Sequence, residues 1–169
     1  MLIYLIGYMG SGKSTTAKKL AGLLDMPCYD LDQLFEEQYK IEISHFFDRY
    51  DETLFRKIES SLLKDTLHLK DAIIATGGGT PCFYDNMQWM NSNGLTVYLQ
   101  MNPKSILERL KSSKRKRPLV ANKQEDELLP FVKEHLRQRN IFYSQAKIIV
   151  KGESVNLNEL THLIKSYNP

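Results

Sequence analysis

The stretch Gly7-Tyr8-Met9-Gly10-Ser11-Gly12-Lys13-Ser14 constrains this chain more than any other. An apolar run, Leu2-Ile3-Tyr4-Leu5-Ile6, leads into it. A segment with Ala17, Leu20, Ala21 and Leu24 at helical spacing leads out of it and is stopped by Pro27. Strand, glycine loop and helix with G-x-x-x-x-G-K-S/T spacing are the parts of a phosphate-binding loop. Glycines let the backbone curl until successive N–H groups point into one concavity, and the helix N-terminus adds its positive end. Gly10, Ser11, Gly12, Lys13, Ser14 and Thr15 are therefore the candidates for holding a nucleotide. Lys13 brings a point charge to the β- and γ-phosphates, and Ser14 offers a hydroxyl to magnesium. The expected ligand is a nucleoside triphosphate held by its phosphates.

Further short apolar runs follow: Cys28-Tyr29, Ala72 to Ala75, Leu95 to Leu99 and Ile148 to Val150. They alternate with segments that read as helices at 33–40, 43–49, 52–68, 83–92, 103–111, about 125–146 and 157–166. Asn102-Pro103 is a cap followed by proline at the first helical position. Five strands alternating with helices predict an α/β fold, a parallel sheet with helices on both faces. At 169 residues the chain is expected to form one domain, 1–169. Ligands of such sheets bind beyond the C-terminal strand ends. The phosphate loop, Asp30 and Asp32, and Gly77-Gly78-Gly79 each follow a strand, so they should converge in one cleft.

The strand at 72–75 ends in Thr76 and three glycines where a phosphate-loop enzyme often carries a magnesium-side acid. The D-x-D at 30–32 is the substitute. If it is extended, its two carboxylates face opposite sides, Asp30 toward magnesium through water and Asp32 toward the acceptor's hydroxyl. Both acids also suit the cap and first turn of the next helix, and the two roles are compatible. Gly77, Gly78 and Gly79 suggest a floor on which backbone approaches a small polar substrate. Arg56 and Arg139 are candidates for forked recognition of a carboxylate or phosphate, although either alone reads as an ordinary surface charge. The stretch Lys111 to Arg117 has five basic residues and no acid. It fits a nucleic-acid patch, a lid that closes Arg117 over the phosphates, or a solvated loop.

A net charge of +3 is too mild to argue for nucleic acid, and no apolar run approaches the roughly 18 residues of a membrane span. There is no signal-peptide pattern, and Cys28 and Cys82 lack metal-ligand spacing, so reduced thiols and a cytoplasmic location are expected. The readings in play are a small-molecule kinase, a nucleotide-dependent nucleic-acid binder and a noncatalytic nucleotide-binding module.

With these residues in place the chain resembles shikimate kinase, a small P-loop kinase of the nucleoside-monophosphate-kinase type, over about residues 2–150. The resemblance is carried by the P-loop, Asp30 and Asp32, Phe55-Arg56 with Glu59, Thr76-Gly77-Gly78-Gly79, Arg117-Pro118-Leu119, and Arg139 with Tyr143. It implies phosphorylation of the 3-hydroxyl of shikimate by MgATP, on the route to chorismate and the aromatic amino acids. ATP and shikimate are then the partners, Mg2+ the cofactor, and a monomer the expected state. The implied strand order is 2-3-1-4-5. Ser14 matches the magnesium-ligating hydroxyl and Asp30 an acid that holds magnesium indirectly. Asp32 matches the acid on the shikimate hydroxyls. Arg56 and Arg139 match the pair on its carboxylate, with Gly78 beside them. Lys13 and Arg117 match the cations on the transferring phosphate, and Arg109 a position that packs on adenine. A lid at about 112–123 and a shikimate-binding helical region at about 32–61 follow from the same resemblance. The chain departs from the family pattern at Ile43 to Phe47, at Asp51-Glu52, at Ser144-Gln145 and in the loop from Gly152 to Val155. A kinase for another hydroxy acid, such as gluconate, would keep the P-loop and change the acceptor pocket.

Overall fold

The computed structural model describes residues 1–112 and 125–167. Arg117, and with it nearly all of the lid expected at about 112–123, lies outside the described residues.

Strands β1 (Leu2–Ile6), β2 (Cys28–Asp30), β3 (Ala72–Ala75), β4 (Leu95–Gln100) and β5 (Ile148–Lys151) form one parallel sheet in the order β2-β3-β1-β4-β5. Around it lie α1 (Lys13–Leu24), α2 (Leu31–Tyr39), α3 (Ile43–Arg49), α4 (Glu52–Asp65), α5 (Asn86–Asn93), α6 (Pro103–Ser112), α7 (Glu125–Tyr143) and α8 (Leu157–Ser166). The expected α/β class and strand order are both realised.

The central strand explains the layering. All five residues of β1 are buried, and alternate side chains leave on opposite faces. Leu2, Tyr4 and Ile6 join Ile74, Leu63, Met87, Met90 and Val132 in one core. Ile3 and Leu5 join Ile73, Val97, Ala17, Leu20, Leu160 and Ile164 in the other. A strand covered on both faces needs an unbroken apolar run, which is the pattern the sequence shows. A third cluster, Phe35, Phe46, Phe55 and Leu62, ties α2, α3 and α4 together. Phe35 and Phe46 meet edge to face at 5.1 Å, and Phe47 lies 4.8 Å from Phe55. The segment 43–47 that departs from the family pattern thus supplies aromatic packing between α2, α3 and α4. Full burial of a Phe side chain is worth about 1.5–3 kcal/mol.

Register places the loops. Leu5 pairs with Ala75 and Val97, and Asp30 also pairs with Ala75. Thr76 then closes the end of the sheet, its backbone N–H and its hydroxyl both donating to the Leu5 carbonyl at 3.1 Å. The P-loop, the β2–α2 junction and the glycine loop therefore leave the sheet at one level.

Several expected boundaries move. The helix expected over 52–68 ends at Asp65 and tightens into a 3-10 turn, Thr66–His68, where the Thr66 hydroxyl donates to the Leu63 carbonyl. The helix expected at 83–92 begins at Asn86 after a 3-10 turn at Thr80–Cys82. Asn86 is buried and bridges the two, donating to the Thr80 carbonyl and accepting from the Ser60 hydroxyl. The long helix expected to reach 146 stops at Tyr143 in a turn closed by Gln145 and Ala146 N–H groups.

Candidate functional site

Gly12 caps α1 at φ 91°, a left-handed backbone that a side chain resists. Having no side chain, it offers no acceptor to the first-turn N–H groups of α1, which stay available to an anion. Lys13 is 8% exposed and curls back across the loop, donating to the carbonyls of Gly7 (2.8 Å) and Tyr8 (3.0 Å). Arg109, from the end of α6, spans the loop's other side. Its Nη1 reaches the Ser11 carbonyl at 3.2 Å and its Nη2 the Gly152 carbonyl at 3.3 Å. It joins the P-loop to the turn after β5, the two places that border the expected adenine site.

The β2–α2 junction corrects the extended D-x-D. Asp30 ends the strand, but Leu31 already begins α2 and Asp32 lies in its first turn. The helix starts early because Asp30 caps it, its Oδ1 accepting from the Asp32 N–H at 3.0 Å. Its Oδ2 accepts from the Ser14 hydroxyl at 2.5 Å. One carboxylate therefore serves as cap and as partner of the P-loop serine. The Ser14–Asp30 pair offers hard oxygen donors, and among the described residues no group of three or more His, Cys, Asp or Glu could hold a metal ion. A small donor set of this kind suits magnesium, which keeps waters and binds largely through substrate phosphates.

The glycine loop brings Asp32, Glu59, Arg56 and Arg139 together. A Cβ built on Gly77 would lie 2.6 Å from Glu59 Oε1 and 3.3 Å from Asp32 Oδ1. One on Gly78 would lie 3.4 Å from Arg139 Nη1, and one on Gly79 2.6 Å from both terminal nitrogens of Arg56. The three glycines make room for four charged side chains. Gly79→Ala should therefore push the Arg56 guanidinium aside. If Arg56 holds the acceptor, as the sequence leads one to expect, the KM for the acceptor should rise roughly tenfold, about 1.4 kcal/mol, with the KM for nucleotide little changed. Unaltered acceptor kinetics in that variant would mean that Arg56 has space the structure does not show.

Arg56 is 7% exposed and tightly framed. Its Nη1 donates to Glu59 Oε2 at 2.8 Å, while Nη2 and Nε reach Glu52 Oε1 at 2.9 and 3.1 Å. Its guanidinium lies 4.3 Å from the Phe83 ring centre and 5.1 Å from that of Phe55. Burial by itself would lower its pKa, but Glu59 and Glu52 more than offset this and the net direction is upward. Glu59 in turn accepts from the Thr80 hydroxyl at 2.6 Å. Glu52 and Glu59 were visible in the sequence at i,i+4 and i,i+3 from Arg56, yet only the structure gives them their job of holding the guanidinium.

Arg139 is also buried, and sits 5.5 Å from the Tyr8 ring centre. Tyr143, one turn on, donates its hydroxyl to the Gly78 carbonyl. Burial raises the Tyr143 pKa, against the pull of Arg139. Burial likewise pushes the Cys82 thiol up to about 11, and both Cys28 and Cys82 are free thiols. The structure thus gathers Asp32, Arg56, Arg139 and the three glycines on one side, and Lys13, Ser14, Asp30 and Arg109 on the other.

Comparison with known proteins gives a consistent set of likenesses. The shikimate kinase family profile matches residues 9–166. A shikimate kinase of Phocaeicola vulgatus is 41% identical, with 90% of this chain and 87% of that protein aligned. One of Parabacteroides distasonis is 38% identical over 97% of this chain and 95% of its own. Among solved structures, shikimate kinase from Bacteroides thetaiotaomicron superposes with a TM-score of 0.92 at 36% identity, covering 98% of each chain. Shikimate kinase from Acinetobacter baumannii in complex with shikimate gives a TM-score of 0.84 at 28% identity, over 97% of this chain and 90% of that one.

Proposed function

The chain belongs to the shikimate kinase family, and from that premise we propose how its residues divide the reaction. The protein transfers a phosphoryl group from ATP to the 3-hydroxyl of shikimate, in aromatic amino-acid biosynthesis. The observation that carries the division of labour is the convergence of Asp32, Glu59, Arg56 and Arg139 on Gly77–Gly79, beside the P-loop.

On the donor side, Gly10, Ser11, Gly12 and Thr15 hold the nucleotide's phosphates together with Lys13. Arg109 steadies the loop and borders the base. Ser14 and Asp30 would hold Mg2+, which supplies charge neutralisation on the β- and γ-phosphates. On the acceptor side, Arg56 and Arg139 bind the shikimate carboxylate. Gly77, Gly78 and Gly79 line the ring's bed, and Asp32 takes a hydrogen bond from the reacting hydroxyl. Little covalent chemistry falls to the protein in phosphoryl transfer, so positioning and charge stabilisation supply most of the rate. Asp32 aligns the hydroxyl and accepts its proton as the new P–O bond forms. The acceptor region is assigned to about residues 32–61 of one kinase domain, 1–169. The enzyme is read as a cytoplasmic monomer.

ADP release coupled to a chromophore, with shikimate, quinate and gluconate offered in turn, tests the assignment. Fast turnover on shikimate alone is expected, lost on chelation and restored by Mg2+; preference for gluconate would refute the acceptor pocket. Arg56→Ala and Arg139→Ala should each raise the shikimate KM steeply, since losing half of a buried charge-assisted pair costs about 2–5 kcal/mol. A rise confined to the ATP KM would place these arginines on the wrong substrate.

A further inference from the structure

We propose that Tyr8 and His135 form a positioning pair that sets Arg139 for the acceptor's carboxylate. The proposal rests on the reading of Arg139 as a carboxylate-binding residue.

Tyr8 occupies a variable position of the P-loop motif, where the chemistry asks only for backbone. Yet its ring is 1% exposed, and its hydroxyl and His135 Nδ1 share a hydrogen bond of 2.8 Å. The two rings meet at 84° with centres 5.5 Å apart. Arg139 approaches the same phenol ring, its guanidinium carbon 5.5 Å from the ring centre. His135 and Arg139 are four residues apart on α7, so both fall on the stripe that faces the P-loop. Phe131, a further turn back, packs on the imidazole at 5.1 Å.

The Tyr8 phenol is buried and His135 is half-buried beside it, so the phenol's hydroxyl depends on this partner, because an orphaned buried hydroxyl keeps its desolvation cost. Apolar side chains would fill the same space without that obligation, so filling space does not account for the pair. What it does provide is a ring that cannot turn. The hydrogen bond fixes the phenol's orientation, and the negative face of the ring then defines a place for the guanidinium. A long arginine side chain has rotamer freedom to lose on binding a carboxylate, and a side chain already placed has less of it to lose. The charged groups that act on His135 are Arg139 on its own helix, and Arg56 and Glu52 on α4. Burial first, then Arg139, lowers its pKa to about 4, and burial raises that of Tyr8 to about 12. At neutral pH both groups are uncharged, and the bond adds no competing cation beside the arginine.

Steady-state kinetics on the intact enzyme test this with Tyr8→Phe, His135→Leu, the double variant, His135→Gln and Arg139→Ala. Tyr8→Phe and His135→Leu should each raise the shikimate KM about threefold to tenfold, the scale of one lost hydrogen bond, while kcat and the ATP KM stay within about twofold. The double variant should be no worse than the worse single one, as expected of two residues acting through one bond. His135→Gln, which can accept from the phenol, should recover most of the loss. Tyr8→Phe keeps the ring and removes one oxygen, so it decides the matter even if His135→Leu does not fold. An unchanged shikimate KM in Tyr8→Phe, with Arg139→Ala strongly impaired, would overturn the pair and leave the carboxylate reading standing. An unchanged shikimate KM in Arg139→Ala would overturn that reading itself. Equal increases in both substrates' KM would show a distorted P-loop and would also overturn the proposal.

Discussion

Replacing Asp32 by asparagine is expected to lower turnover by roughly a hundredfold or more while leaving ATP binding largely intact, the usual scale for losing a positioned general base. Asparagine keeps the size of the side chain and removes its charge and its proton affinity. No neighbour can step in easily. Glu59, the other acid at Gly77, is committed to Arg56 and Thr80, and Asp30 to Ser14 and the cap of α2. Single-turnover rates and an ATP titration separate chemistry from binding. Near-normal turnover in Asp32→Asn would remove Asp32 from the reaction and leave alignment of the hydroxyl to backbone.

Lys13→Ala should be at least as damaging, with kcat falling by about 10²–10³, the range for removing one preorganised charge from a transition state. Its ammonium now sits on the Gly7 and Tyr8 carbonyls, so the same change also loosens the loop. Thermal melting distinguishes the two effects. A variant that melts near the parent temperature and has lost its rate has lost phosphate stabilisation, whereas retention of rate within about fivefold would mean that other donors neutralise the phosphate.

These residues differ in how openly the sequence displays them. The P-loop was legible because its motif is a short contiguous pattern whose loop is closed by local bonds, Ser11 N–H to the Tyr8 carbonyl and Lys13 to the Gly7 and Tyr8 carbonyls. The strands were legible because a sheet covered on both faces needs unbroken apolar runs. The strand order was not readable from pattern, since Leu5 pairs with Ala75 and Val97 across long connections that carry no local signal. It came with the family resemblance. Asp30 and Asp32 were read as an extended pair, and the structure differs because the cap that starts α2 early competes with continuing the strand. The three glycines read as a bed for ligand. That they also leave room for Arg56, Glu59, Asp32 and Arg139 depends on side chains from other elements folding over them. Tyr8 and His135 lie 127 positions apart, and neither belongs to a motif that would have paired them.

Asp30 has a further consequence. One of its oxygens is bonded to the serine of the donor side, and the other fixes the first turn of the helix that carries Asp32. The two half-sites therefore share a mechanical joint with two arms. Under the proposed roles, a nucleotide that moves the Ser14 arm is expected to shift acceptor affinity through Asp30, and an acceptor that moves the Asp32 arm to shift nucleotide affinity. Thermodynamic reciprocity then fixes the bookkeeping: whatever factor nucleotide imposes on acceptor affinity, acceptor imposes on nucleotide affinity. In this fold, order of arrival can alter the route but not the sum.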